Sequence, residues 1–158
     1  MTSDRTLRAK AAVVGVAETE YYKWGEAPDP EFKLALRAVL AACDDAGVAP
    51  TEIEGFSSYS NDRSAASRFA AALGIHELRF ASMQWGGGGG GTAGAVANAA
   101  AAIATGQAEC VVVLRALAQG QFGRFGRGPR RSTISGAGAH TVPYIEVKNN
   151  SSRVEHEA

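Results

Sequence analysis

The sequence carries no surplus of charge and few of the residues that mark specialised protein classes. Its 158 residues include 16 basic and 16 acidic side chains, a formal net charge of zero. That balance removes the electrostatic footprint expected of a general nucleic-acid binder or of a protein held on an anionic membrane surface. Cysteine is scarce, with only Cys43 and Cys110. They stand far apart, each within an apolar stretch, and no CxxC or Cys/His spacing is present. No structural metal centre is therefore expected, and both thiols are read as buried and reduced. Long hydrophobic runs are missing too: the longest, Ala93–Ala104, is alanine-rich and too short to cross a bilayer. The polar start, Met1–Lys10, lacks the apolar core of a secretory signal. These absences leave the expectation of a soluble cytoplasmic chain, long enough for one domain with a sizeable core.

What the sequence has is glycine, 19 residues, much of it in Gly86–Gly91 and in Gly120–Gly138. Before the first of these runs, strand and helix patterns alternate. Ala11–Val16 is a short run of alanine and valine, predicted as a strand buried on both faces, with Gly15 marking close approach by another backbone. Ala17–Pro30 reads as a loop whose Tyr21, Tyr22 and Trp24 suit a pocket wall, an interface or a surface staple. Asp29-Pro30 has the form of a helix start, with Asp29 as N-cap and Pro30 in the first turn. Phe32, Leu36, Val39, Leu40 and Cys43 then recur at helical spacing, and Gly47 is placed to stop the helix. Further strands are predicted at Ile53–Ser60, Leu78–Trp85 and Cys110–Leu114, with helices at Ala65–Leu73, closed by Gly74, and Ala93–Thr105, stopped by Gly106. Four such alternations predict an α/β fold with a mostly parallel sheet of about four strands. Residues 8–118 form this domain, 119–147 a glycine- and arginine-rich loop region, and 148–158 a polar tail expected to fray.

The glycine run leads from a strand into a helix N-terminus. Glycine permits close approach of a ligand to the main chain, and the unpaired N–H groups of the first helical turn favour negative charge. A carbonyl oxygen becoming an oxyanion would be held by the same groups. Three readings follow. A dinucleotide fingerprint is a weak match, because any six glycines contain GxGxxG and no acidic ribose partner follows. A flexible loop is the second, and an acyl or thioester site the third. The helix that follows is small on nearly every face, as suits one buried between layers. The arginines Arg115, Arg124, Arg127, Arg130 and Arg131 suit coenzyme A phosphates, an interface or a solvated loop, with RNA binding a distant alternative. His140 and Tyr144, in AHTVPY, are the candidate proton-transfer pair, and each also fits a structural role.

Four stretches carry a family resemblance. AAVVGVAETEYYKWG, SSYSNDR, the segment from LRFASMQWGGGGGGTAGAVANAAAAIATGQAECVVVL through RALAQGQFGRFG, and GAHTVPY resemble the thiolase superfamily. The similarity is to its lipid-transfer-protein and sterol-carrier-protein-x branch, and within that branch to steroid side-chain aldolases. It covers Arg8–Tyr144 and implies the N-terminal half of a thiolase-like α/β domain, with the alanine helix buried at its centre. In thiolases the turn equivalent to Trp85–Gly91 bears an acyl-accepting cysteine. Here it holds neither cysteine nor serine, and Cys110 stands at the far end of the following helix, roughly 20 Å away. The resemblance therefore implies aldolase-like chemistry, retro-aldol cleavage of a β-hydroxyacyl-CoA with tyrosines as acid/base groups. On this reading Trp85, Gly86, Gly87, Gly88, Gly89, Gly90, Gly91, Arg124 and Arg127 hold acyl-CoA, a CoA thioester is the substrate, and no cofactor or metal is bound.

The resemblance also implies a homodimer and an OB-fold zinc-ribbon partner protein. The family fold is duplicated, and its second half lies outside this sequence. The tail IEVKNNSSRVEHEA departs from the family pattern, so a truncated chain is expected, inactive alone, that dimerises, needs a partner or is poorly stable. The alternative is a non-catalytic fragment or CoA-binding interaction module of the same fold.

Overall fold

A computed structural model describes residues 7–23, 26–59, 64–84 and 90–116. Within them, three helices and three strands alternate: α1 (Glu31–Ala46), β1 (Gly55–Tyr59), α2 (Ala66–Leu73), β2 (Phe80–Gln84), α3 (Gly91–Ala104) and β3 (Val111–Leu114). A short 3-10 turn, Pro50–Glu52, leads into β1. The strands form one parallel sheet in the order β2-β1-β3. Gly55 pairs with Phe80 on one side and Val111 on the other, and the register runs on in step. The crossovers explain the order. The chain leaves β1 through α2 for one neighbour, then returns through α3 to the other, so right-handed connections place the two helices on opposite faces.

Side-chain alternation along β1 sorts the core. Phe56 faces α1 and α2, where it joins Ala35, Val39, Cys43, Ile53 and Phe69 in one buried cluster that Val112 and Leu114 also touch. Phe69 is fully enclosed, its ring 5.0 Å from Phe32 and 5.2 Å from Phe56. It thereby ties α1, α2 and the sheet together. The other face of β1 is narrower. Ser57, completely buried, donates to the carbonyl of Ala95 on α3 at 2.9 Å. Its oxygen also lies 2.9 Å from the Ser82 hydroxyl on β2, so Ser82 is the donor of that pair. Only small side chains let α3 sit this close: Ala95, Ala99 and Ala102 are its buried face.

The ends of the helices follow the glycine signals. Gly47 and Gly74 adopt left-handed conformations, with φ of 67° and 70°, and close α1 and α2. Their Cβ positions would meet nothing, so it is backbone conformation and not crowding that favours glycine there. At the start of α1 the sequence reading is corrected. Pro30 is the N-cap, and it makes no side-chain cap hydrogen bond. Asp29 instead forms ion pairs with Lys33 at 2.7 Å and Arg37 at 3.0 Å, one and two turns into the helix.

Two further expectations are corrected. Ala11–Val16 is not a strand: it is paired with no other strand among the described residues, and Val13, Val14 and Val16 are 76%, 66% and 72% exposed. The sheet accordingly has three described strands, not four. An apolar run signals a preference for burial but supplies no hydrogen-bonding neighbour. The segment lies against α1, where a Cβ on Gly15 would overlap the Ala42 carbonyl and come within 2.8 Å of the Ala46 Cβ. The close backbone approach expected at Gly15 is therefore present. The Val16 amide donates to Asp45 at 2.9 Å. Between this segment and β3 runs an apolar groove of about 510 Å³, floored by α1 and α3. The alanine helix is likewise buried on one side only: Val96 on α3 is 43% exposed, and Thr92, Ala93 and Ala97 are exposed.

Candidate functional site

Parallel strands end together, and the last residues of β1, β2 and β3 meet at one edge of the sheet. These are Tyr59, Gln84 and, one residue past Leu114, Arg115. Open α/β sheets bind ligands at this edge. The start of α3 closes over it. A Cβ on Gly91 would overlap Cδ2 of Tyr59 and lie 3.0 and 3.1 Å from Cγ and Cε2 of the same ring. A Cβ on Gly94 would come within 2.9 Å of the Gln84 Cγ. Glycine in the first turn of α3 therefore serves close packing of helix on strand ends. The helix begins at Gly91, two residues before the Ala93 expected from the sequence, because the last glycine of the run is recruited into it. Its first turn carries no thiol and no acidic residue, and the first N–H groups of a helix, which have no partner within it, favour an oxygen acceptor.

Tyr59 is buried, and Arg115 holds it twice. The guanidinium lies 4.2 Å above the ring centre, and Nη1 donates to the phenol oxygen at 2.5 Å. The two residues are 56 positions apart and are brought together by the β1–β3 register, in which Ser58 faces Leu114. Arg115 is half-buried, its Nε is enclosed without an acceptor, and no ion pair among the described residues includes it.

Of the residues predicted to hold an acyl-CoA, Gly90 and Gly91 fall at this edge; Gly90 is exposed, with nothing near its Cβ position. Trp85, Gly86, Gly87, Gly88, Gly89, Arg124 and Arg127 lie outside the described residues, as do the proton-transfer candidates His140 and Tyr144 and the segments 119–147 and 148–158. Sequence reasoning did not single out Tyr59 or Gln84, and took Arg115 only as part of the arginine-rich stretch. The usable signal was positional: each lies within one residue of the end of a predicted strand of a parallel sheet.

The cysteines stand elsewhere. Cys43 is buried in the core cluster, and Cys110 precedes β3 at the opposite edge of the sheet from Tyr59. Both are free thiols, pushed up from the ordinary cysteine pKa, chiefly by burial. A raised pKa disfavours the nucleophilic thiolate. No group of His, Cys, Asp or Glu suited to a metal ion occurs among the described residues. No helix among them is long and apolar enough to cross a membrane.

No family model matches the chain. Similar proteins are nonetheless found. The chain is 39% identical over 128 residues to a 17-hydroxy-3-oxo-4-pregnene-20-carboxyl-CoA lyase of Mycobacterium tuberculosis, covering 80% of this chain and 32% of that protein. It is 41% identical over 123 residues to a steroid side-chain-cleaving aldolase of Thermomonospora curvata, covering 77% and 30%. Among solved structures, an Ltp2–ChsH2(DUF35) aldolase superposes with a TM-score of 0.62 at 36% identity, covering 85% of this chain and 32% of that one. The chain thus spans about a third of the length of the relatives it matches, one named as a carboxyl-CoA lyase and the other as a steroid side-chain-cleaving aldolase.

Proposed function

We propose that this chain forms part of a thiolase-fold, acyl-CoA-processing protein of lipid or steroid catabolism, working by retro-aldol cleavage of a β-hydroxyacyl-CoA. In that reaction the β-hydroxyl loses its proton, the bond between the α and β carbons breaks, and a carbonyl forms at the β carbon. The bonding electron pair passes to the thioester enolate, which takes up a proton at the α carbon. No acyl-enzyme is needed. The observation that carries the reading is the edge where Tyr59 meets the first turn of α3, a helix N-terminus set on the strand ends with no thiol in that turn. The N–H groups of such a terminus suit an enolate oxygen, whose charge appears only as the bond breaks. The identity to a carboxyl-CoA lyase at 39% supports the same class of substrate.

On this reading the thioester lies over Gly90 and Gly91, with Trp85 and the rest of the glycine run beside it, and Arg124 and Arg127 on the coenzyme A phosphates. The working form is a homodimer in the cytoplasm, completed by a zinc-ribbon OB-fold partner. A partnership of that kind is in keeping with the two-component name of the Ltp2–ChsH2(DUF35) aldolase. His140 and Tyr144 are retained as proton-transfer candidates. The deciding experiment incubates the chain, alone and with its partner, with a β-hydroxyacyl-CoA and follows release of the carbonyl product. Turnover above background supports the reading. Absence of turnover together with saturable CoA binding would reduce the chain to a CoA-binding module, and absence of both would overturn it.

A further inference from the structure

We propose that Arg115 and Tyr59 act as one oxyanion-receiving unit at the carboxyl edge of the sheet, a role that rests on the acyl-CoA reading and names the group that meets the developing charge. The argument begins with proton inventory. An arginine side chain can only donate, so in the pair the Tyr59 oxygen accepts from Nη1. The hydroxyl hydrogen of Tyr59 must then point to another acceptor. Nε of Arg115 is a second donor, enclosed and without a partner among the described residues. Among the described residues this half-buried guanidinium, in contact with a buried phenol, has no carboxylate partner to balance its charge. Its complement is a negatively charged oxygen. The first turn of α3 packs against the same ring through Gly91.

The geometry also restricts what the pair does. Stacking on the ring and bonding to its oxygen hold the guanidinium in two ways and fix the phenol. Lysine cannot reproduce this, because it lacks both the planar stack and the Nε donor. Tyr59 is thus the group expected to touch the substrate oxygen, and Arg115 positions it and adds charge.

The test uses enolates as mimics. Acetoacetyl-CoA and acetylacetone both ionise to enolates with a strong near-ultraviolet band, so their apparent pKa is measured in the presence of the full chain. Wild type should favour the enolate of each by roughly tenfold, the scale of one hydrogen bond to a charged group. Tyr59→Phe, Arg115→Met and Arg115→Lys should each abolish most of that shift, with far-ultraviolet circular dichroism and melting curves reporting whether they fold. If Arg115→Met does not fold, the comparison of wild type with Tyr59→Phe decides. Binding of free CoA by wild type reports on the acyl-CoA reading alone. Enolate stabilisation of acetylacetone without CoA binding keeps the oxyanion unit and removes that reading. An unshifted enolate pKa for both probes, or a shift retained in Tyr59→Phe, overturns the unit. A shift lost in Tyr59→Phe but retained in both folded Arg115 variants overturns the arginine's part in it.

Discussion

Replacing Gly91 with alanine should destabilise the chain, although alanine is the better helix former. Inside a helix, glycine to alanine is worth about 1 kcal/mol in favour of alanine. At Gly91 the added methyl would overlap Cδ2 of Tyr59 and press on two more ring carbons at 3.0 and 3.1 Å. The ring cannot swing aside freely, because it is buried and Arg115 holds both its face and its hydroxyl. Overpacking of this kind costs about 1–3 kcal/mol. The net loss should be up to about 2 kcal/mol, or up to about 4–8 °C in melting temperature for a chain of this size. Gly90 supplies the control. Its φ is −75° and its Cβ position meets nothing, so Gly90→Ala should be neutral or stabilise by up to about 1 kcal/mol. Urea unfolding followed by circular dichroism measures both. The double variant Gly91→Ala/Tyr59→Ala closes a cycle in which the two changes should be strongly non-additive, because removing the ring removes the clash. Equal stability of the two glycine variants, or additivity in the cycle, would refute the assignment of Gly91 to helix–strand packing.

Phe69→Ala should cost about 3–5 kcal/mol, since the ring is fully enclosed between Phe32 and Phe56. Loss of the cooperative thermal transition is the expected readout, and a shift of only a degree or two would place the core elsewhere. The carboxyl of Asp29 is held below the usual carboxylate range by hydrogen bonding to Lys33 and then Arg37. Its folded pKa is depressed, so its contribution is present above the unfolded value of about 3.9 and is lost as the pH falls toward the folded one. Asp29→Asn should therefore melt below wild type at neutral pH, with the gap narrowing in acid; a gap independent of pH would contradict the assignment. Cys43 and Cys110, both pushed up mainly by burial, should be alkylated far more slowly in the folded chain than in urea, as read by mass spectrometry. Rapid labelling of Cys43 in the native chain would mean that α1 is not packed as described.

The elements whose signals are local were legible in the sequence. The apolar stripe of α1, the glycine stops Gly47, Gly74 and Gly106, and the β-branched run Val111–Val113 each depend on neighbours a few residues away. The structure returns them within a residue or two. Ala11–Val16 was misread because a strand is defined by its partner. Composition alone cannot distinguish an apolar segment that joins a sheet from one laid along a helix, as Gly15 is along α1. The site divides in the same way. A helix start beside strand ends was foreseen from the glycine run. The contact of Arg115 with Tyr59 was not, because it depends on the register of β1 against β3, which no pattern in either segment states.

The outer side of β3 couples two properties that are often adjusted separately. One edge of Val111–Leu114 pairs with β1, while the other faces the groove with no strand upon it among the described residues. Open edges of this kind are templates for further main-chain pairing. Any substitution that raises the extended-chain preference of these four residues therefore strengthens the sheet and its adhesiveness together. For anyone engineering the chain, thermal stability and colloidal solubility are opposed objectives along this strand. They come apart where a side chain reaches solvent, at the 37% exposed Val113, where a lysine could discourage association with little cost to the core.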